Sequence, residues 1–245
     1  MNQEIRHDVE ILGVGSNNGG YCRDVAINGK GKINGDLDCI EFCCDGIGEV
    51  NGKTQAVTIK VNGRAEFKGG LSAEEMKVNG QAVVNGAADL KELQVEGWVT
   101  VRDNLATEDL EVKGAVTVDG DCNAETFLAK GYFTIGGLLN AGTINVKLYG
   151  PGRAREIGGG KIDVKRGHVT RLKDLIKSLF LGDTFAEVLT AESIEGDDIY
   201  LEYTRAKVVR GSKVRLGPGC EVDLVEYRES YQADQEAKVG QSSKV

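Results

Sequence analysis

Three cysteines lie close together in the sequence and raise the question of a metal site. Cys39, Cys43 and Cys44 have the spacing Cys-x3-Cys-Cys, whereas structural zinc sites use pairs of Cys or His at closer, repeated spacings. The sequence has no second pair that would complete four ligands. A free cysteine otherwise behaves as a small apolar residue of the core. We therefore expect core thiols and no bound metal.

Acid–base chemistry has few candidate residues. His7 and His168 are the two histidines, and neither falls in the regular repeat described below. A histidine or a cluster of carboxylates would be needed as a general base or acid. The best carboxylate column is interrupted by Lys91 and otherwise contains Glu74, Glu108 and Glu125. We expect no catalytic residue and no enzyme activity.

Charge and hydropathy narrow the classes of partner. The 245 residues carry a formal net charge of −8, which disfavours nucleic acid because phosphate contacts need clustered Lys and Arg. Gly158-Gly159-Gly160 lacks the Lys-Ser/Thr of a phosphate-binding loop, so no nucleotide or other cofactor is expected. The first twenty residues lack a basic region followed by an apolar run, and no long apolar stretch occurs. We expect a cytoplasmic protein with reduced cysteines.

Glycine recurs every seventeen residues. Each such position from Gly29 to Gly131 is Gly, and a second series from Gly35 to Gly137 is Gly everywhere except at Asp103. Six apolar columns keep the same step and fall into three pairs, and the spacing of two within a pair is that of a strand. The columns begin at Val25, Ile27, Gly31, Ile33, Leu37 and Cys39.

This repeat predicts an all-β fold, a right-handed parallel β-helix with a triangular cross-section and about 17 residues per turn. Each turn has three short strands that point two side chains inward. Glycine at two of the corners is expected to provide a positive φ. The right hand is expected because parallel crossovers prefer it.

The repeat also divides the chain. We expect a flexible leader at 1–20, a β-solenoid at 21–167, an amphipathic helical insertion at 168–187, a second β block at 188–227 and a disordered tail at 228–245. The second block either continues the solenoid or packs on it. Its apolar pairs, whose register stays open, are Ile199/Leu201, Ala206/Val208, Val214/Leu216 and Cys220/Val222/Leu224.

The insertion contains apolar residues at helical spacing. Such a helix could cap or pack on the solenoid, or lie on the inner face of the membrane as a peripheral contact. These residues are Leu172, Leu175, Ile176, Leu179 and Phe180.

Several segments resemble the bactofilins, the polymer-forming cytoskeletal proteins of bacteria, in the longer type found in bacilli. The similar segments are GSNNGGYCRDVAINGKGKINGDLDC, GGLLNAGTINVKLYGPGRAREIGG and SIEGDDIYLEYTRAKVVRG. The resemblance implies a right-handed triangular β-helix that forms filaments end to end without nucleotide. It also implies roles in scaffolding envelope or flagellar machinery, and it brings no active-site residue.

The open ends of a solenoid favour assembly, because they present unpaired backbone groups and an apolar cross-section. Soluble monomers cover these ends with polar caps, and the sequence indicates a cap at neither end. We therefore expect a homopolymer, with envelope-associated proteins as further partners. The predicted interface comprises Val25, Ile27, Ile33 and Leu37 at one end and Val214, Leu216, Val222 and Leu224 at the other.

Two other functions stay open at this point. A monomeric β-solenoid could recruit a protein or cell-wall partner along a face, which would require capped ends. A carbohydrate-active β-helix enzyme would require an acidic cluster on one face of the folded chain.

Overall fold

A computed structural model describes residues 6–167 and 187–245. In these residues the chain is an all-parallel β-solenoid of about 13 turns without a helix, which confirms the predicted fold class. Its contacts divide it into two compact units, Met1–Cys122 and Asn123–Val245, rather than at the boundaries expected from the repeat. The predicted helix, with Leu172, Leu175, Ile176, Leu179 and Phe180, lies outside the described residues.

The first unit alternates long and short strands. Its first turn contains β1 (His7–Ile11) and β2 (Val14–Asn17). The following turns each contain a strand of eight residues and a strand of four. In chain order these are β3 (Gly20–Ile27), β4 (Lys30–Ile33), β5 (Leu37–Cys44), β6 (Ile47–Val50), β7 (Thr54–Val61), β8 (Arg64–Phe67), β9 (Leu71–Val78), β10 (Gln81–Val84), β11 (Ala88–Val95), β12 (Trp98–Val101), β13 (Leu105–Val112) and β14 (Ala115–Val118).

Each eight-residue strand covers two of the three predicted faces. In β9, Leu71 and Ala73 point inward, two exposed residues follow, and Met76 and Val78 point inward again. The strand therefore bends around a corner at the two consecutive outward residues. Within the first unit, parallel neighbours from β3 onward pair at a step of seventeen, as Met76 does with Leu93. Every position in the six predicted columns is buried except Ala124, which is half-buried.

The corner glycines are required by close backbone stacking, and the prediction of a positive φ at these positions is wrong. Among the described residues, φ is positive at Gly19, Gly20, Gly219 and Tyr203, none of which belongs to the two glycine columns. A Cβ atom on Gly80 would lie 2.0 Å from the carbonyl oxygen of Gly63. The same conflict, at 1.9–2.1 Å, occurs at Gly29, Gly46, Gly63, Gly97 and Gly114.

The second unit has longer strands that continue around several faces. They are β15 (Cys122–Ala129), β16 (Tyr132–Leu148), β17 (Gly152–Arg166), β18 (Leu189–Leu201), β19 (Thr204–Leu216), β20 (Glu221–Ala233) and β21 (Lys238–Lys244). The register of the second block is now fixed, because β18 pairs in parallel with β17 and continues the same solenoid. Its step is shorter than seventeen: Ile194 pairs with Val209, and Val209 pairs with Val225.

A corner within each strand overturns the predicted alternation at two positions. Val208 and Leu224 are half-buried, whereas the following residues, Val209 and Val225, are fully buried. As in β9, two outward residues in succession mark a corner. A strict period of two therefore fails where the strand bends.

The predicted flexible leader and disordered tail also differ from the structure. Residues of β1 and β2 form a turn ahead of Val25, and β20 and β21 extend the solenoid beyond Tyr227. The amide of Lys238 donates to the carbonyl of Cys220 at 2.8 Å, and the amide of Val245 donates to that of Tyr227 at 2.9 Å. Polar segments form strands here because the preceding turn offers unpaired backbone groups.

The close stacking at the corners predicts that one added methyl group destabilises the protein at a corner glycine but not at a glycine with space for it. Gly80→Ala should lower the free energy of unfolding by at least the ~1–3 kcal/mol of an overpacked interior. Gly70→Ala is the matched control. A Cβ atom on Gly70 would have the carbonyl oxygen of Ala87 as its nearest neighbour, at 3.4 Å. Urea unfolding followed by circular dichroism measures both variants. Equal stabilities of the two variants would contradict the steric account.

The residues that flank segment 168–186 predict that the solenoid folds without this segment. The guanidinium of Arg166 contacts the carboxylate of Glu187 at 3.0 Å, so the two flanking residues lie side by side. The strands on either side of the segment also pair with each other, as Ile162 of β17 does with Ile199 of β18. Replacing 168–186 by six Gly/Ser residues should leave the far-ultraviolet circular dichroism of a β-solenoid intact. A loss of that signal would mean that the segment is needed for folding.

Candidate functional site: the edges of the solenoid

The residues predicted as a polymer interface lie inside the solenoid. Val25 and Ile27 pair with Val9 and Ile11 of β1, so the first turn covers them. Of the other predicted residues, Leu224 is half-buried and the rest are buried: Ile33, Leu37, Val214, Leu216 and Val222. A second copy that approached an edge of the solenoid would meet other residues.

The amino-terminal edge, formed by β1 and β2, is apolar. Val9 and Ile11 point inward, and beside them Leu12 is 69% and Val14 89% exposed. β1 pairs with β3 and β2 pairs with β4. No described strand pairs with the opposite side of either. Such an edge presents backbone donors and acceptors together with apolar side chains.

Arg6 closes part of this edge. Its guanidinium donates to the carbonyl oxygens of Cys22 at 2.9 Å and Asp38 at 3.1 Å, and it forms a 2.8 Å ion pair with the Asp38 carboxylate. It also lies over the ring of Tyr21. On this side of the edge, backbone carbonyls are therefore satisfied by a side chain.

The carboxy-terminal edge, formed by the end of β20 and by β21, is polar. The inward column that contains Val209 and Val225 ends at Ser242. No residue of β21 is buried, and the strand carries Lys238, Gln241, Ser243 and Lys244. The expectation that this end lacks a cap is therefore wrong. A polar last turn is what caps a soluble repeat protein.

Among the described residues, the cysteines and His7 are not grouped as ligands of a metal ion. Within residues 6–167 and 187–245, no group of three or more His, Cys, Asp or Glu is placed to hold an ion. Burial raises the pKa of Cys39 and of Cys122 to about 12 and that of Cys44 to about 11. At neutral pH these thiols are therefore mostly protonated, whereas a metal ion binds the thiolate. His7 is exposed, and His168 lies outside the described residues.

One open groove of about 610 Å³ on the second unit brings carboxylates together, which the seventeen-residue step did not reveal. Glu195, Arg210 and Glu226 form one outward column in which the arginine stands between the two acids. Arg210 donates to Glu226, and this raises the pKa of the guanidinium. The remaining carboxylates of the groove are Glu156 and Asp197.

The groove therefore resembles the charge ladders elsewhere on the outer faces. Lys91 and Glu74 form one such pair at 3.1 Å in the first unit. Alternating charges on neighbouring strands stabilise each other in water.

The sequence predicted a peripheral membrane contact through an amphipathic helix. No helix in the described part of the chain is long and apolar enough to cross a bilayer. The amphipathic segment proposed for such a contact falls within residues 168–186, outside the description.

Comparisons with known proteins find two similar chains in Bacillus subtilis (strain 168). The chain is 42% identical to the uncharacterized protein YhbE over 98 residues, which is 39% of this chain and 38% of YhbE. It is 35% identical to the uncharacterized protein YhbF over 91 residues, 37% of this chain and 34% of YhbF. The matches thus span less than two fifths of either relative. No family model and no solved structure matches, and the bactofilin resemblance stays a prediction.

The polar cap predicts a pH-dependent loosening of β21. Glu221 contacts Lys238 at 3.0 Å and Arg205 at 3.1 Å, and these two hydrogen bonds lower its pKa below 4.5. Its contribution is therefore present above pH 4.5 and lost as the pH falls through the lowered value. Glu221→Gln should speed hydrogen exchange of the β21 amides at neutral pH.

In the wild type, acidification should have the same effect after correction for intrinsic exchange rates. Glu192→Gln is the control, because Glu192 pairs with Lys207 at 3.1 Å and does not contact β21. Because Glu221 is exposed, global stability should barely change. Equal exchange in the two variants would show that the ion pairs do not hold the cap.

Proposed function

We propose that this chain is a non-enzymatic scaffold that assembles with further copies of itself, without nucleotide, by stacking the edges of its solenoid. The apolar amino-terminal edge carries this proposal. Leu12 and Val14 are exposed beside β1, whose second side pairs with no strand in the described part of the chain. Exposed edges of this kind are templates for another strand. The bactofilin resemblance adds a cytoskeletal role in organising envelope or flagellar machinery.

The difference between the two edges sets the expected order of assembly. Two amino-terminal edges can meet in a symmetric contact in which each copy contributes the same residues. Apolar Leu12 and Val14 would be removed from water there, and burial of apolar area favours association. Growth beyond a pair requires a second contact, for which the polar carboxy-terminal edge offers Ser242 and Lys244.

A monomeric binding module is the second candidate, and two observations favour it. The carboxy-terminal edge is capped by a polar strand, as in soluble repeat proteins. In addition, Trp98 is 66% exposed on the face built by the four-residue strands. Its column neighbours Gln81 and Ala115 are uncharged. An exposed tryptophan on a flat surface is a frequent anchor for a protein partner.

The deciding experiment compares assembly of the wild type with that of Leu12→Asp/Val14→Asp. Negative-stain electron microscopy and sedimentation velocity at physiological salt, without nucleotide, would reveal filaments or smaller assemblies. Ile47→Asp is the matched control: Ile47 is 53% exposed and lies in the same outward column as Val14, two turns further in. Val25 and Ile27 are unsuitable targets because charges there would unfold the core.

We expect the wild type and Ile47→Asp to assemble and the double variant to stay monomeric, because two carboxylates at the edge oppose its burial. Monomers in all three samples would overturn self-assembly and favour the binding module. Assembly that survives in the double variant would place the contact elsewhere than the amino-terminal edge.

A further inference from the structure

Cys22 and Cys39 are neighbours in consecutive turns. The register on both sides, Tyr21 with Asp38 and Asp24 with Glu41, sets Cys22 level with Cys39. Both side chains point inward and are 0% and 2% exposed. Strands in a sheet lie about 4.8 Å apart. This spacing falls within the Cα separation of about 4.4–6.8 Å that a disulfide bridges.

The surroundings of this thiol pair differ from those of other buried cysteines. Cys44 donates to the carbonyl of Arg64 at 3.4 Å, and Cys220 donates to that of Leu201 at 3.1 Å. Cys22 instead lies 3.9 Å from Nε2 of His7. His7 is the partner of Cys22 in β1 and is exposed to solvent. An imidazole at this distance is suited to accept the thiol proton.

Arg6 holds the two strands together at the same level. Its guanidinium donates to the carbonyl of Cys22 and to that of Asp38, the residue before Cys39. The register of β1 against β3 shifts between His7 and Val9, so Cys22 lies beside an irregular part of the ladder. A disulfide needs Cβ atoms about 3.5–4.5 Å apart, slightly closer than regular stacking. The pairing of β3 with β5 is itself interrupted between Tyr21/Asp38 and Asp24/Glu41, so the two strands can adjust by that amount at the cysteines.

We propose that Cys22 and Cys39 form a disulfide between neighbouring turns when the protein meets a small-molecule disulfide oxidant such as oxidised glutathione, with His7 as the proton acceptor. Cys22 gives its proton to His7, and the thiolate attacks one sulfur of oxidised glutathione, breaking its S–S bond and releasing one glutathione. Cys39 then loses its proton to solvent and attacks the Cys22 sulfur, releasing the second glutathione. Two protein thiols are oxidised and one glutathione disulfide is reduced to two thiols.

The position of each thiol explains this order. Cys22 lies in the second turn from the amino-terminal edge, directly under exposed His7. Cys39 is one turn deeper, and burial raises its pKa to about 12. Cys22 is itself fully buried beneath His7, and burial raises its pKa as well. An external oxidant therefore reaches Cys22 when β1 moves aside, before it can reach Cys39. The product joins β3 to β5 and ties the turn next to the amino-terminal edge to the rest of the first unit, independently of any assembly.

The test uses the full reduced chain, incubated with oxidised glutathione at neutral pH, quenched with N-ethylmaleimide and mapped by mass spectrometry without reduction. Tryptic peptides 7–23 and 33–53 should be linked, with the loss of two hydrogen atoms. Peptide 33–53 also contains Cys43 and Cys44, so Cys39→Ser decides which thiol is joined. Cys22→Ser and Cys39→Ser should lose the link, whereas Cys44→Ser and Cys122→Ser should keep it.

Two further measurements separate this chemistry from a structural effect. His7→Gln should slow the linkage severalfold and leave its final extent unchanged. The oxidised wild type should unfold at a higher urea concentration than the reduced protein. Dithiothreitol should reverse this shift, so the two states are compared in the same chain without a substitution. Glutathione adducts confined to half-buried Cys43, with Cys22 and Cys39 still free thiols in the folded protein, would overturn the proposal.

Discussion

The close contact between each corner glycine and the backbone of the preceding turn is the constraint on which the first unit depends. A Cβ atom on any of these glycines from Gly29 to Gly114 would fall within about 2 Å of a carbonyl oxygen, so only hydrogen fits. This contact fixes the level at which every strand meets its neighbour. Inward residues must therefore suit the residues directly above and below them. Gly48, for example, leaves room for Cys44 and Phe42.

The outer faces follow from the same register. Since equivalent residues stack from turn to turn, polar side chains form ladders along the surface. The amide of Asn79 donates to Asn62 at 2.7 Å, and that of Asn62 donates to Asp45 at 2.6 Å. Ion pairs such as Lys91 with Glu74 repeat the arrangement. Each contact is exposed and contributes little to stability, but together they keep the faces soluble and leave the edges as the distinctive surfaces.

The sequence was informative wherever the step of seventeen is strict. Columns such as Val61, Val78 and Val95 were predicted to be buried, and they are. The prediction failed at Val208 and Leu224, because a corner follows Ala206 and Val222 as it follows Ala73 in β9, and a strict alternation runs past such a corner. It failed at the leader and the tail for another reason. These segments lack an apolar repeat, and their strands depend on hydrogen bonds to a neighbouring turn, which a local pattern does not encode. The misplaced interface residues follow directly from those missing turns.

The two edges of the solenoid differ in polarity, and this difference limits how copies of the chain could assemble. A filament of identical solenoids needs two adhesive ends, yet the structure pairs an apolar edge at Leu12 and Val14 with a polar one at β21. A polar last strand restrains uncontrolled strand addition, so an assembly built through the apolar edge alone would end at two copies. Larger order then needs a second contact, either at β21 or on a face, where Trp98 interrupts the solvated ladders. In the proposed assembly, the chemistry of β21 therefore separates a paired scaffold from a filament.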